Sequence, residues 1–124
     1  PLVRAARAAG IPVYGLPGPC ALVAALSVSG LPTARFVFEG FLPAQAGARA
    51  SRLSALAGDS RTLVFYEAPH RLAASLQAMG EAFGGDRPAV LARELTKRFE
   101  TVYAGTLAEL AARVASDPNA ARGE

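Results

Sequence analysis

The ten residues Thr62-Leu63-Val64-Phe65-Tyr66-Glu67-Ala68-Pro69-His70-Arg71 constrain the fold more than any other stretch. A run of β-branched and aromatic residues stops at Glu67, as a buried strand does when it leaves the core. Pro69 suits a first helical turn, where its missing N–H has no intrahelical acceptor. Leu72, Leu76, Met79 and Phe83 then recur at i, i+4, i+7 and i+11, the stripe of a helix packed along one side. A strand running straight into a helix is the repeating unit of an α/β sheet. The C-terminal end of such a strand is where open sheets place ligand-binding groups.

The remaining chain fits the same pattern. Residues 2–9 have helical spacing and Gly10 is a suitable C-cap. Ile11–Tyr14 is expected as a short strand, with Pro12 at its start or on an edge. Gly15-Leu16-Pro17-Gly18-Pro19 makes a rigid turn, and Cys20–Ser29 an almost wholly apolar helix that has to be packed against something. Gly30-Leu31-Pro32-Thr33 marks a domain boundary. Further strands are expected at 36–41, 62–67, 88–94 and 99–104, with helices over 48–57, from Pro69 to Phe83, and from Thr106 onward. Residues 43–47 form an exit loop with a basic, flexible tip, and Asp117-Pro118-Asn119 form a turn. The link Leu95–Arg98 is too short for a crossover, so the last two strands form an antiparallel hairpin. The expectation is an α/β fold: a mixed sheet of about five strands with flanking helices.

Composition narrows the function. One cysteine excludes an internal disulfide and fits a reducing compartment, and one His with one Cys cannot build a zinc site. No apolar run reaches the roughly 18 residues of a membrane span. A net charge of +3 leans toward an anionic partner such as RNA. The excess of arginine over the single Lys97, together with the many alanines, equally fits a GC-rich genome. There is no P-loop, no dinucleotide-binding glycine motif and no nucleophile elbow. The chain opens on Pro1 with residues that read like the middle of a helix, and it stops at Gly123-Glu124 where another strand is expected. A piece of a longer protein, truncated at both ends, is therefore expected.

Two clusters could carry chemistry. Tyr66 and Glu67 end one apolar strand. Glu67 either serves a ligand as hydrogen-bond acceptor or base, or pairs with Arg71 or caps the helix beginning near Pro69. His70 and Arg71 oppose the helix dipole there, a placement that a bound phosphate or carboxylate would relieve. The second cluster, Arg93, Glu94, Thr96 and Lys97, ends another apolar strand. It forms a shared ligand edge with the first if the two strands run parallel, or else a solvated hairpin tip. Cys20 stands near a helix start, a setting that favours reactive thiols, but it has no neighbouring base in the sequence.

Four segments in order, Leu16–Ala21, Phe38–Pro43, Phe65–Arg71 and Ala92–Lys97, resemble the rRNA small-subunit methyltransferase I family of the tetrapyrrole methylase-like superfamily. The match covers nearly the whole chain. It is closer than the likeness to porphyrin and corrin methylases, which share the fold but not the run through His70 and Arg71. The resemblance implies a two-domain cytoplasmic homodimer that binds S-adenosyl-L-methionine between its domains and methylates the ribose 2′-hydroxyl of a cytidine in the decoding region of 16S rRNA on the 30S subunit. It implies that residues 1–33 end the N-terminal cofactor domain and its linker helix, and that 34–124 form most of the C-terminal α/β domain. Pro17, Gly18, Cys20, Tyr66 and Glu67 would face the cofactor. Glu67, Glu94 and Lys97 would be the candidates for proton transfer, and His70, Arg71, Arg93 and Arg98 would hold rRNA phosphates, with no metal. The family usually has serine where Cys20 stands, and a thiol is the weaker hydrogen-bonding group. A small-molecule tetrapyrrole methylase and a non-catalytic binding or dimerisation domain are the alternatives.

Overall fold

Ten elements order the chain in the computed structural model, which describes residues 1–117, 119 and 120. They are α1 (Leu2–Ala8), α2 (Ala21–Ser29), β1 (Phe36–Phe41), α3 (Ala46–Leu56), β2 (Thr62–Tyr66), a 3-10 turn (Pro69–Arg71), α4 (Leu72–Phe83), β3 (Pro88–Arg93), β4 (Thr101–Thr106) and α5 (Leu107–Ser116). The α/β class is as expected. The single sheet of about five strands is not found: among the described residues there are four strands in two separate pairs. β1 and β2 run parallel, with Phe36 opposite Thr62 and Phe41 opposite Tyr66. β3 and β4 form the antiparallel hairpin expected from their short link, with Arg93 opposite Thr101.

Three local expectations need correction. Ile11–Tyr14 forms no strand; it runs exposed between α1 and α2, where Pro12 has no N–H to donate and no neighbouring strand pairs with it. The fifth expected strand, 99–104, starts and ends two residues later, because Phe99 and Glu100 belong to the turn while Gly105 and Thr106 still pair with Ala89 and Pro88. The helix expected from Pro69 begins as a 3-10 turn and becomes α-helical at Leu72. The turn around Pro118 and the strand expected beyond Gly123-Glu124 lie outside the described residues.

The main core is built from the two stripes that periodicity marks. Leu76 of α4 packs with Leu107, Leu110 and Val114 of α5 and with Ala120, and Leu72, Met79, Phe83, Leu91 and Tyr103 close around them. α5 starts on a capping box: Glu109 N–H donates to Thr106 Oγ1, and Thr106 N–H donates to the Glu109 carboxylate. Leu53 of α3, a helix that packs on α4, is buried, as is Leu42 directly after β1. The two pairs are tied where β2 and β3 begin, by Arg87 Nη2 donating to Asp59 O at 3.0 Å and Arg61 O at 3.1 Å.

β1 is not a regular strand. Register is lost between Phe38 and Gly40, where Glu39 is the extra residue and Gly40 takes φ +68°. A one-residue bulge flips the side on which every later side chain points. Phe41 therefore shares a face with Phe38, and both rings meet Tyr66 edge-on, at centroid distances of 5.8 and 5.0 Å.

Candidate functional site

The start of α2 is the meeting point of three segments far apart in the sequence. Cys20 is the N-cap in an extended conformation, and its side chain makes no capping hydrogen bond. Leu22 N–H, one of the helix-start donors with no intrahelical acceptor, donates to Tyr66 Oη at 3.0 Å. A cavity of about 300 Å³ opens beside it, lined by Pro19, Cys20, Ala21 and Ala24 on one side and by Leu95 and Thr96 on the other. The Pro-Gly-Pro turn, the end of β2 and the β3–β4 turn thus converge around one helix start.

Tyr66 and Glu67 occupy adjacent positions with different surroundings. Glu67 turns inward, its side chain 8% exposed. Oε2 accepts from Ser75 Oγ at 2.6 Å, Oε1 accepts from Ala68 N–H at 2.8 Å, and Arg71 Nε lies 3.4 Å from Oε1. Arg71 in turn donates through Nη2 to Leu42 O, which pins the loop leaving β1. Both readings left open for Glu67 in the sequence bear on this corner, and the geometry contains the pairing with Arg71 directly. The loop at 43–47, expected as a flexible tip, is held by that bond and by Arg49 Nη1 donating to Ala44 O at 3.2 Å.

The second cluster sits in a strained turn. Glu94 and Thr96 adopt φ values of +51° and +65°, the left-handed region that side-chain-bearing residues seldom enter. The turn is closed by Lys97 N–H donating to Glu94 O at 2.9 Å and by Thr96 N–H donating to the Glu100 carboxylate. Lys97 Nζ lies 3.6 Å from Glu94 Oε1. Arg98 lies over the Phe99 ring, 5.5 Å from its centroid.

Of the residues singled out in the sequence, Cys20 lines the cavity itself. Tyr66 touches α2 next to it, and Glu94 and Lys97 flank its Leu95–Thr96 wall. Pro17 and Gly18 precede the lining on an exposed turn, and His70 is exposed at the 3-10 turn. Glu67 and Arg71 belong to a separate hydrogen-bonded corner with Ser75. Arg93 ends β3 opposite Thr101. The sequence reading did not single out Ser75, Ala24 or Leu95. Ala24 has a signal, lying one helical turn beyond Cys20 on the same side of α2. Ser75 and Leu95 have none, because a small polar residue in a helix and a leucine in a turn carry no mark of what they face. Among the described residues no three His, Cys, Asp or Glu side chains are grouped so as to hold a metal ion, and no helix is long and apolar enough to cross a membrane.

Comparison with known proteins gives a consistent result. The family model described as Tetrapyrrole (Corrin/Porphyrin) Methylases matches residues 1–111. Proteins named ribosomal RNA small subunit methyltransferase I are 62% identical in Pseudomonas aeruginosa, 63% in Xylella fastidiosa and 50% in Escherichia coli O157:H7, each over 99% of this chain. The chain spans 44%, 45% and 43% of those relatives, less than half their length.

Proposed function

The chain belongs to the tetrapyrrole (corrin/porphyrin) methylase family, and from that premise we propose that the whole protein methylates the ribose 2′-hydroxyl of a cytidine in the decoding region of 16S rRNA, with S-adenosyl-L-methionine as donor. The observation that carries this reading is the convergence of Pro19, Cys20, Ala21 and Ala24 with Leu95 and Thr96 on one cavity at the start of α2, which Tyr66 touches. The names of relatives matched over 99% of the chain point to rRNA rather than to a tetrapyrrole.

The cavity has a mostly apolar lining beside a helix start, a surface suited to part of a nucleoside and to the partial charges of a ligand's polar end. Pro19, Cys20, Ala21 and Ala24 would hold the cofactor from the α2 side, following Pro17 and Gly18, with Tyr66 fixing the helix start. When bound, S-adenosylmethionine would supply an electrophilic methyl group, its carbon–sulfur bond breaking to leave a neutral thioether as the ribose oxygen bonds to the methyl carbon in line. The chain's own contribution is chiefly positioning, which can account for a large part of such a rate enhancement. Glu94, which precedes the turn wall of the cavity, or Lys97 in its neutral form would take up the hydroxyl proton, a role that contributes roughly 10²–10⁴-fold. Glu67, with both oxygens engaged, would act by holding Arg71 and the β2 end in place. His70, Arg71, Arg93 and Arg98 supply cations toward the phosphates of the RNA. On this reading residues 1–33 belong to the cofactor domain and linker, 34–124 to the second domain, and the protein works on the 30S particle in the cytoplasm as a homodimer.

Tritiated S-adenosylmethionine supplied to the full-length protein with 30S particles, or with a porphyrin acceptor, tests the proposal. Label in 16S rRNA that resists alkaline hydrolysis at one position is the expected result. Transfer to the porphyrin alone would overturn it. Ala24→Leu, which fills the cavity, should weaken cofactor binding about tenfold by calorimetric titration while leaving the thermal midpoint within a few degrees.

A further inference from the structure

Three large aromatic side chains stand exposed on one face of the parallel pair. Phe36 is 41%, Phe38 46% and Phe41 63% exposed, and together with Thr62, Val64 and Tyr66 of β2 they make one continuous surface. Leaving so much aromatic area in water is unfavourable, and patches of this kind mark contact sites. The bulge at Glu39 and Gly40 enlarges the patch, because without it Gly40 rather than Phe41 would share the face of Phe38.

Charge describes what fits there. Arg35 stands exposed directly before Phe36, at one end of the strip. At the other end Arg49 and Arg71 are fixed on the carbonyls of Ala44 and Leu42, in the loop that follows Phe41. Among the described residues Arg35 and Arg49 have no carboxylate partner. The nearby acids do not oppose an anion: Glu67 is held by Ser75 and Arg71, and Glu39 is taken up by Arg52 of α3. Aromatic faces flanked by guanidinium groups are the surface on which unpaired bases stack while their phosphates are neutralised. A purely apolar partner would gain nothing from the arginines.

We propose that the Phe38–Phe41–Tyr66 face is a stacking platform for an unpaired base of single-stranded RNA, with Arg35 and Arg49 on the adjoining phosphates. The inference rests on the rRNA reading above and extends it. Tyr66 belongs both to the platform and, through its hydroxyl, to the start of α2, so a base stacked there lies next to the cavity. The edge-on rings support one another, which keeps their faces presented without an ordering cost at binding.

The test uses the full-length protein and a ten-nucleotide single-stranded RNA carrying 2-aminopurine, whose fluorescence is quenched by stacking. Phe41→Leu keeps the apolar bulk but removes the ring, and should weaken binding roughly tenfold and abolish the quenching, the scale of one lost stacked base. Phe41→Tyr keeps the ring and should bind within about twofold of the parent. Leu and Tyr variants that both bind like the parent, or that both lose binding together, would overturn the platform. So would a parent protein in which the rest of the chain shields these rings from acrylamide-type probes with and without RNA. Methyl transfer to 30S particles is read in parallel. A parent that methylates rRNA while Phe41→Leu binds normally removes only the platform, whereas a parent that neither binds RNA nor methylates it removes the rRNA reading as well.

Discussion

Ser75 Oγ donates to Glu67 Oε2 at 2.6 Å from the middle of α4, with Ser75 1% exposed and the Glu67 side chain 8% exposed. A carboxylate that far from water needs every donor it has. Together with Ala68 N–H and Arg71, this bond makes Glu67 the hub joining α4, the end of β2 and the loop after β1. Ser75→Ala should cost about 1–3 kcal/mol in urea unfolding, the penalty for leaving a buried acceptor short of a donor. Ser75→Thr, which keeps the hydroxyl, separates that loss from crowding by an added methyl. In the full-length protein Glu67→Gln should reduce methyl transfer without unfolding the chain and without changing the shape of the pH–rate profile. A profile that loses one limb would make Glu67 the proton acceptor instead.

Tyr66→Phe removes the hydroxyl that accepts from Leu22 N–H while keeping the ring between Phe38 and Phe41. The expected stability loss is about 1 kcal/mol. The more telling measurement is amide exchange: Leu22 should lose protection while the β3–β4 hairpin amides keep theirs.

Cys20→Ser gives the start of α2 a hydroxyl at its N-cap position. An N-cap hydroxyl accepts from the N–H groups of the first turn far better than a thiol does, and α2 has no side-chain cap in this chain. The substitution should stabilise α2 by about 1 kcal/mol, read as a raised thermal midpoint, and should tighten cofactor binding in the full-length protein.

Asp59 gives a pH signature. The Arg61 guanidinium and then the Arg61 N–H bond its carboxylate and hold its pKa at about 2, below the ordinary 3.8. A pKa depressed in the folded state contributes stability that is complete above the unfolded value and is lost as pH falls through the folded one. Between pH 4 and 2 the stability of the parent should therefore fall more steeply than that of Asp59→Asn, measured by urea midpoints across that range.

The fold was legible where short-range rules decide. The Leu72–Phe83 stripe and the antiparallel hairpin after it need only periodicity and a short link; both formed, though the link runs from Glu94 to Glu100 rather than over four residues. Ile11–Tyr14 misled because its residues favour a strand, yet strand formation depends on a partner that local composition cannot supply. In the site, Cys20 and the Glu94–Lys97 turn stood out by residue type. Their approach across the cavity did not, since nothing in either segment encodes a contact so distant in sequence. The Tyr66 bond to Leu22 is hidden for the same reason. The bulge was half visible: a glycine inside a strand pattern is its usual mark, but the consequence for Phe41 follows only from the pairing with β2.

The division of the strands into two pairs has a practical side. With one partner each, β1, β2, β3 and β4 all carry a second margin of backbone N–H and C=O groups that no described strand occupies. Such margins recruit any extended peptide in solution. Handled as an isolated polypeptide, these 124 residues should therefore self-associate as concentration rises, and light scattering against concentration becomes a simple gauge of whether those margins have been satisfied.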